Sequence, residues 1–600
     1  MFISLPDPEP VPWDRATWLG LTVLVSLWAF LFAVTWGHWG DLTIDCGREM
    51  YVPSQLAHGK TLYTDLWYPY TPGGPYLNSL LFRLFGVHLA VLYWAGALSA
   101  LGSATLLYLT GLNVTSRMAA WTTGSIVLLE AFVSSEFCFP LPYSYGAVYA
   151  CLAACFCLWC AVNAGAGRRQ WNWMLGAGIA AAAAFLSKQE IGAGCFAALV
   201  LLAGVRGVRS YRSGESIRQF GIELAALLPG VLLSLTVIVW MISLGGLEFL
   251  TQENLMSWPT SYFMKKYANT WLALTGFSLS RKSLIKMGAL AATIAIWCGF
   301  RWLRRVPGNR GRILAFGVLL CLGALAAMAR SDDFISRSLH LFFPRAAVFL
   351  IALAVPIAIW VCSTLRQSGS FVKVALLFSM TVLIEPRALF GTLPSSYSIF
   401  YNGPVLLSLF VIMNWLVFPD GSSKAGGTRL VDVLPYLAVL LTVLVDVGPL
   451  YSHGHANISL RTPRGVIYAG PDKLLAYRSA LDFIDRKKGE GGIMSIPEDT
   501  SLYFLAGIEA PTRLYQFGPG VLSPGKMTSQ EIERIQQAGV RYLIWSNRTF
   551  PEYGVPVFGT DFDQDLAQYF RSHYRPIETI GGDLGWNAVV WERLPDSSPR

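Results

Sequence analysis

Apolar runs of about 20 residues recur from the N-terminus to about residue 450, separated by short polar segments, and each run is long enough to cross a bilayer as a helix. Roughly thirteen such runs begin near Thr17, Leu89, Ala119, Ser144, Trp171, Ile191, Gly221, Ser283, Ile313, Ala346, Phe371, Gly403 and Val431. A shorter apolar piece, Pro75 to Phe85, is expected to re-enter the membrane or lie along its interface. The run from Thr17 to Gly37 is too long for the core of a cleaved leader. Its flank (Asp7, Glu9, Asp14, Arg15) is not basic, so a retained span is expected.

After Tyr451 the pattern becomes that of a soluble chain. Leu474, Tyr477, Leu481 and Ile484 recur at helical spacing, and Gly492 to Ile496 reads as the following strand. Thr528 and Glu531 have the spacing of a capping box ahead of Ile532, Ile535 and Ala538, and Arg541 to Trp545 reads as a buried strand. The expected fold class is therefore a polytopic all-α membrane domain, residues 1–450, of about 13 transmembrane helices, followed by an extracytoplasmic α/β domain, residues 451–600.

Composition agrees: 54% of the residues are hydrophobic and 14% charged, which excludes a disordered chain. The net charge of +9 is spread through short loops rather than gathered in a patch, so no nucleic-acid partner is expected. Most cysteines lie within apolar runs, where a thiol behaves as a small hydrophobe; only Cys46 and Cys138 fall in loops of one side where a bridge is conceivable.

Alternate loops differ in charge. One set (Arg117; Arg168 and Arg169; Arg206 to Arg218; Arg301 to Arg312; Arg366 and Lys373; Lys424 and Arg429) is basic with few acids, and is expected to be cytoplasmic together with the N-terminus. The other set mixes charges with aromatics and prolines and is expected to face outward: Asp41 to Pro75, Glu136 to Tyr143, Lys188 to Glu190, Glu248 to Arg281, Arg330 to Arg345 and Glu385 to Asn402.

The candidate chemistry gathers in these outward loops. Nothing matches a phosphate-loop, dinucleotide or zinc-helix motif, and His453 with His455 lacks a third ligand. In the first outward loop, 38–75, a helix from Asp45 to His58 lying on the membrane surface would put Asp45 and Glu49 on one face, where repulsion and burial favour a general base. Asp41 and Asp65 are further acids of this loop, and its tyrosines and tryptophan suit either sugar stacking or an interfacial belt. Lys188 and Glu190 flank a tight turn that suits a phosphate, held directly or through a divalent cation. Arg337, His340, Arg345 and Arg387 are cations and a histidine on a face that topology normally keeps poor in arginine, which points to an anionic ligand.

The order Asp45, Gly47, Glu49, Tyr51, then Ala57-His58-Gly59, Leu62-Tyr63-Thr64-Asp65, Tyr68-Pro69-Tyr70, Gly74-Pro75 and Leu81 to Gly86 resembles the GT-C class of membrane glycosyltransferases. The likeness is to the RgtA/B/C/D-like group, related to protein O-mannosyltransferases and lipid A aminoarabinose transferases; the turn Lys188 to Gly192 is similar to one in that group. The resemblance implies an inverting transferase of the bacterial cytoplasmic membrane, working on its outer face. It takes a sugar from a polyprenyl-phosphate carrier to a hydroxyl of a lipid, glycan or protein acceptor. It also implies that Asp45 is the base, with Glu49 or Asp41 as partner, and that Lys188, Arg337, Arg345 and Arg387 hold the donor phosphate. Glu190, His340 and Asp65 are supporting candidates; a divalent cation is left open. The group's adjacent acidic pair is absent here, since Cys46 follows Asp45. A flippase for a lipid-linked sugar, a surface polysaccharide ligase or polymerase, and a non-catalytic scaffold are the competing readings.

Overall fold

The computed structural model describes residues 13–42, 46–133, 137–164, 170–252 (apart from 213 and 215–217), 369–384, 400–412, and 458–595 (apart from 523, 552–553 and 583–584). Among the described residues the first nine helices are α1 (Arg15–Val34), α2 (Cys46–Ala57), α3 (Gly73–Phe85), α4 (Leu89–Val114), α5 (Arg117–Val133), α6 (Tyr145–Asn163), α7 (Gln170–Ser187), α8 (Gln189–Arg212) and α9 (Arg218–Gln252). Two more apolar helices, Gly369–Ile384 and Asn402–Ile412, pack against them. Among the described residues five helices are long and apolar enough to cross a membrane: α1, α4, α6, α8 and the Phe220–Gly246 part of α9. This is an integral membrane protein. The runs expected from Thr17, Leu89, Ala119, Ser144, Trp171, Ile191, Gly221, Phe371 and Gly403 each coincide with a helix. Those from Ser283, Ile313, Ala346 and Val431 lie outside the described residues.

Small residues let the helices approach closely. Ala97, Ala100 and Ala104 of α4, Ala147, Ala150 and Ala154 of α6, and Ala177, Ala181 and Ala184 of α7 are all buried at three- and four-residue spacing, which is how helices associate where lipid removes the hydrophobic drive between them. On α1, by contrast, Trp18, Leu19, Phe30 and Val34 point outward, as a lipid-facing helix requires. Helix α3 has 13 residues, about 20 Å of length, too short to span. It exposes Leu77, Leu80, Leu84 and Phe85 along one stripe while burying Asn78 and Phe82, in keeping with an interfacial helix.

The two ends of the bundle differ in chemistry. At one end Arg117 holds Asp14, the N-cap of α1, at 2.6 Å, and Arg206 meets Glu223 at 3.3 Å. At the other end the first loop, the segment 137–144, the Lys188 turn and Phe400 come together, with Phe137 against both Tyr143 and Phe400. Of the loops sorted by charge in the sequence, those among the described residues therefore separate to opposite ends; residues 301–312 and 330–345, with Arg366, Lys424 and Arg429, lie outside the described residues.

The C-terminal region is α/β, as expected. A β1–β2 hairpin (Ile458–Thr462, Gly465–Ala469) precedes the helix Pro471–Lys487 and a four-stranded sheet of order β3-β4-β6-β5. Strand β3 (Gly492–Ile496) runs parallel to β4 (Val540–Ser546), while β6 (Ala588–Arg593) is antiparallel to both β4 and β5 (Tyr574–Ile580). Leu474, Tyr477 and Ile484 bury the inner face of their helix. The capping box does not form: the helix Lys526–Gln537 starts two residues ahead of Thr528, with Gly525 at its N-cap. Thr528 and Glu531 are buried inside the helix instead, because Glu531 turns inward to Arg534 and Thr512.

This region sits on the first loop. The hairpin turn reaches the start of α4, where Leu89 N–H donates to Arg464 O (2.8 Å) and Arg464 Nη1 donates to Val87 O (3.2 Å). Ala510 N–H donates to the Tyr51 hydroxyl (2.8 Å), and Arg513 and Trp67 exchange a backbone bond of 3.0 Å. A Cβ on Gly47 would stand 2.5 Å from Ser501 N, so only glycine lets α2 approach the helix Ser501–Ala506 this closely.

Candidate active site

Helix α2 is the expected first-loop helix, but it does not lie on the membrane surface with one wet face. Every residue from Cys46 to Leu56 is buried, because Tyr70, Tyr143 and Tyr145 meet the Arg48–Glu49 side while the C-terminal region covers Gly47 and Tyr51. Arg48 and Glu49 are thus a buried ion pair, 2% and 4% exposed, joined at 3.2 Å. The other Glu49 oxygen accepts from Tyr145 N–H (2.8 Å) at the start of α6, where a carboxylate also suits the helix dipole. Arg48 Nη2 donates to Tyr143 O (3.3 Å), and its guanidinium lies 5.0 Å from the centre of the Tyr70 ring.

Tyr70 links the first loop to the Lys188 turn. Lys188 Nζ stands 4.5 Å from the centre of the same ring and 4.0 Å from Glu190 Oε1. Two cations therefore share one aromatic ring, an arrangement that cation–π attraction favours, with Glu49 and Glu190 as their counter-charges. The turn is pressed into place by Gly73, whose Cβ, if present, would lie 2.6 Å from Leu186 O. The Lys188 side chain is 10% exposed and that of Glu190 35%, so the turn reaches solvent mainly through Glu190.

Tyrosines line the other side. Tyr68 and Tyr515 are buried, and burial, then the charges of Arg48 and Glu49, perturb both hydroxyls; the net effect is to raise them well above the ordinary tyrosine range. Both hydroxyls therefore stay protonated. Tyr515 comes from the C-terminal region and packs against Tyr51 and Trp67 at 5.4 and 6.3 Å.

The other candidates sit elsewhere. Asp41 pairs with Lys473 of the helix Pro471–Lys487 at 2.8 Å, and Asp65 accepts from Thr61 N–H (2.7 Å) in an exposed turn. Asp45, Arg337, His340, Arg345 and Arg387 lie outside the described residues. Cys46 and Cys138 are separate thiols that both donate to Leu141 O, at 3.6 and 3.2 Å, and burial pushes Cys138 up to about 12. Among the described residues no three His, Cys, Asp or Glu side chains gather as a metal site would require. Arg48 is not among the residues expected from the sequence, although it stands beside Glu49; the signal for it is only a cation next to an acid in a helix.

A family model described as dolichyl-phosphate-mannose-protein mannosyltransferase matches residues 69–240. The membrane region resembles a GT-C-class glycosyltransferase. This GT-C-like stretch begins beside Tyr70, takes in α3 to most of α9 with the Lys188 turn, and excludes the first-loop acids and the C-terminal region. Among solved structures the chain is similar to the oligosaccharyltransferase AglB from Archaeoglobus fulgidus in complex with an inhibitory peptide and a dolichol-phosphate. The identity is 14% and the TM-score 0.45, over 98% of this chain and 75% of that one. It is also similar to ArnT from Cupriavidus metallidurans bound to undecaprenyl phosphate, with 14% identity and a TM-score of 0.44, over 98% of this chain and all of the other. No curated protein matches the chain.

Proposed function

We propose that the protein is an inverting glycosyltransferase that takes a sugar from a polyprenyl-phosphate carrier to a hydroxyl of a lipid, glycan or protein acceptor, on the outer face of the cytoplasmic membrane. The observation that carries the proposal is the position of Lys188. It lies within the GT-C-like stretch, buried, beside a ring that it shares with Arg48. A phosphate there meets a cation in a largely buried setting, where charge stabilisation is strongest.

In this reading the acceptor oxygen attacks the anomeric carbon from the face opposite the phosphate. The carbon–oxygen bond to the carrier breaks, its electron pair leaves with the phosphate, and the acceptor proton passes to the base. The leaving phosphate is a weak base and needs no acid, so the cations Lys188, Arg337, Arg345 and Arg387 have the larger task. Asp45 is the base. In support, Glu49 has one oxygen on Arg48 and the other on Tyr145 N–H, and Asp41 is held by Lys473. The roles left to Glu49 and Asp41 are to fix the loop.

The test is transfer of labelled sugar from a polyprenyl-phosphate carrier by the purified protein and by Asp45→Asn. Loss of transfer with donor binding retained is expected. Full activity in the variant removes Asp45 from the role, and flipping of carrier in liposomes without transfer supports the transporter reading instead.

A further inference from the structure

Three residues before Asp45, the Leu42 carbonyl is gripped from the C-terminal region. It accepts from Ser501 Oγ (2.5 Å) and from the Tyr477 hydroxyl (3.1 Å). Tyr477 in turn stands 3.1 Å from Ser501 Oγ and 3.3 Å from Asp499 Oδ1, and Trp586 Nε1 donates to the same Asp499 oxygen at 2.6 Å. Tyr477, Asp499 and Ser501 are fully buried. Gly47 seats the other end of the segment against Ser501 N, and Lys473 holds Asp41 just ahead of it.

We propose that Tyr477, Ser501 and Asp499 are positioning residues: a clamp through which the C-terminal region sets the backbone of the first loop at Leu42, and with it the placement of the base. The assignment of the base rests on the function proposed above; the clamp itself rests on these contacts.

Proton counting makes the clamp responsive to charge. Tyr477 has one proton and three acceptors within reach, so it serves Leu42 or Asp499 but not both. A charged Asp499 draws that proton and leaves Leu42 to Ser501 alone; a neutral Asp499 releases it to Leu42. Burial pushes the Asp499 carboxyl up to about 6, against the lowering contributions of Ser546, Trp586, Tyr477 and Arg548. The groups facing it are Tyr477 from the helix Pro471–Lys487, Ser501 and Tyr503 from the helix Ser501–Ala506, Ser546 and Arg548 from β4 and its exit, and Trp586 ahead of β6; the Asp41–Lys473 pair lies behind Tyr477. The Leu42 grip is thus firmer below pH 6 than above it.

The test is hydrogen exchange of the full-length protein in nanodiscs, read on peptides covering the first loop, with sugar transfer measured alongside. In Tyr477→Phe/Ser501→Ala, protection of the loop is expected to fall about tenfold while β3 to β6 keep theirs, and kcat to fall about tenfold with donor KM little changed. In the parent protein, protection corrected for intrinsic rates declines from pH 5 to 7, and Asp499→Asn removes that decline. Unchanged loop protection, loosening that comes only with loss of protection across the sheet, or loosening with kcat intact each overturns the clamp. Loop loosening in a protein that transfers no sugar from any carrier upholds the clamp and rejects the transferase reading.

Discussion

The ion pair between Arg48 and Glu49 should dominate the stability of the first loop. Both side chains are nearly inaccessible, at 2% and 4%, and meet at 3.2 Å, so neither can be replaced by water when the other is removed. Replacing Arg48 with Gln leaves the Glu49 carboxylate in place with its positive partner gone. Breaking such a pair by deleting one charge costs about 3–5 kcal/mol, whereas removing both charges together is often near neutral. We therefore expect Arg48→Gln to lose about 3–5 kcal/mol and the double variant Arg48→Gln/Glu49→Gln to lose about 1–2 kcal/mol, from weakened bonds to Tyr143 O and Tyr145 N–H. Arg48→Gln is then less stable than the double variant by about 2–3 kcal/mol. Reversible denaturation in mixed micelles, followed by tryptophan fluorescence near Trp67, measures the four corners of the cycle. A double variant as unstable as Arg48→Gln would refute the reasoning, since it would mean that the cost lies in packing rather than in a stranded charge. Glu49→Gln separates structure from catalysis: once folded, it should keep kcat within about threefold, whereas a Glu49 that takes the acceptor proton would lose far more.

Lys188→Met should raise the KM for the lipid-linked donor by about 10- to 100-fold, because it removes the ammonium that would meet the donor phosphate while keeping an apolar side chain of similar length; saturation kinetics check this. Gly73→Ala should cost about 1–3 kcal/mol and also raise donor KM, since the added methyl would meet the Leu186 backbone and push the Lys188 turn away. Asp499 gives a pH signature in stability. Its folded value of about 6 lies above the ordinary 3.8, so the folded state binds the extra proton between these values; stability falls as pH rises from about 4 to 6 and is level above. The charge costs about 3 kcal/mol at pH 7, and Asp499→Asn should flatten the profile, measured as denaturation midpoints across that range.

Much of the architecture was written locally. Apolar run length decided which segments are membrane helices, and the switch to shorter periodicity near Tyr451 marked the α/β region, because burial in lipid or in a sheet selects residues one by one. Among the described residues, charge in alternate loops also foretold which segments share an end of the bundle. The candidate site was legible only in part. Lys188 and the first-loop acids stood out as charges beside apolar runs, but nothing local could say that Glu49 belongs to Arg48 and Tyr145, that Asp41 belongs to Lys473, or that Tyr70 joins Arg48 to Lys188. Those pairings cross from one segment to another far along the chain, and a carboxylate looks the same in sequence whether solvent or a distant cation will face it. Helix α2 makes the point most directly. Its pattern suggested a surface helix, and only tertiary packing, with Tyr70, Tyr143 and Tyr145 on the Arg48–Glu49 side and the C-terminal region on Gly47 and Tyr51, buried it at the centre of the site.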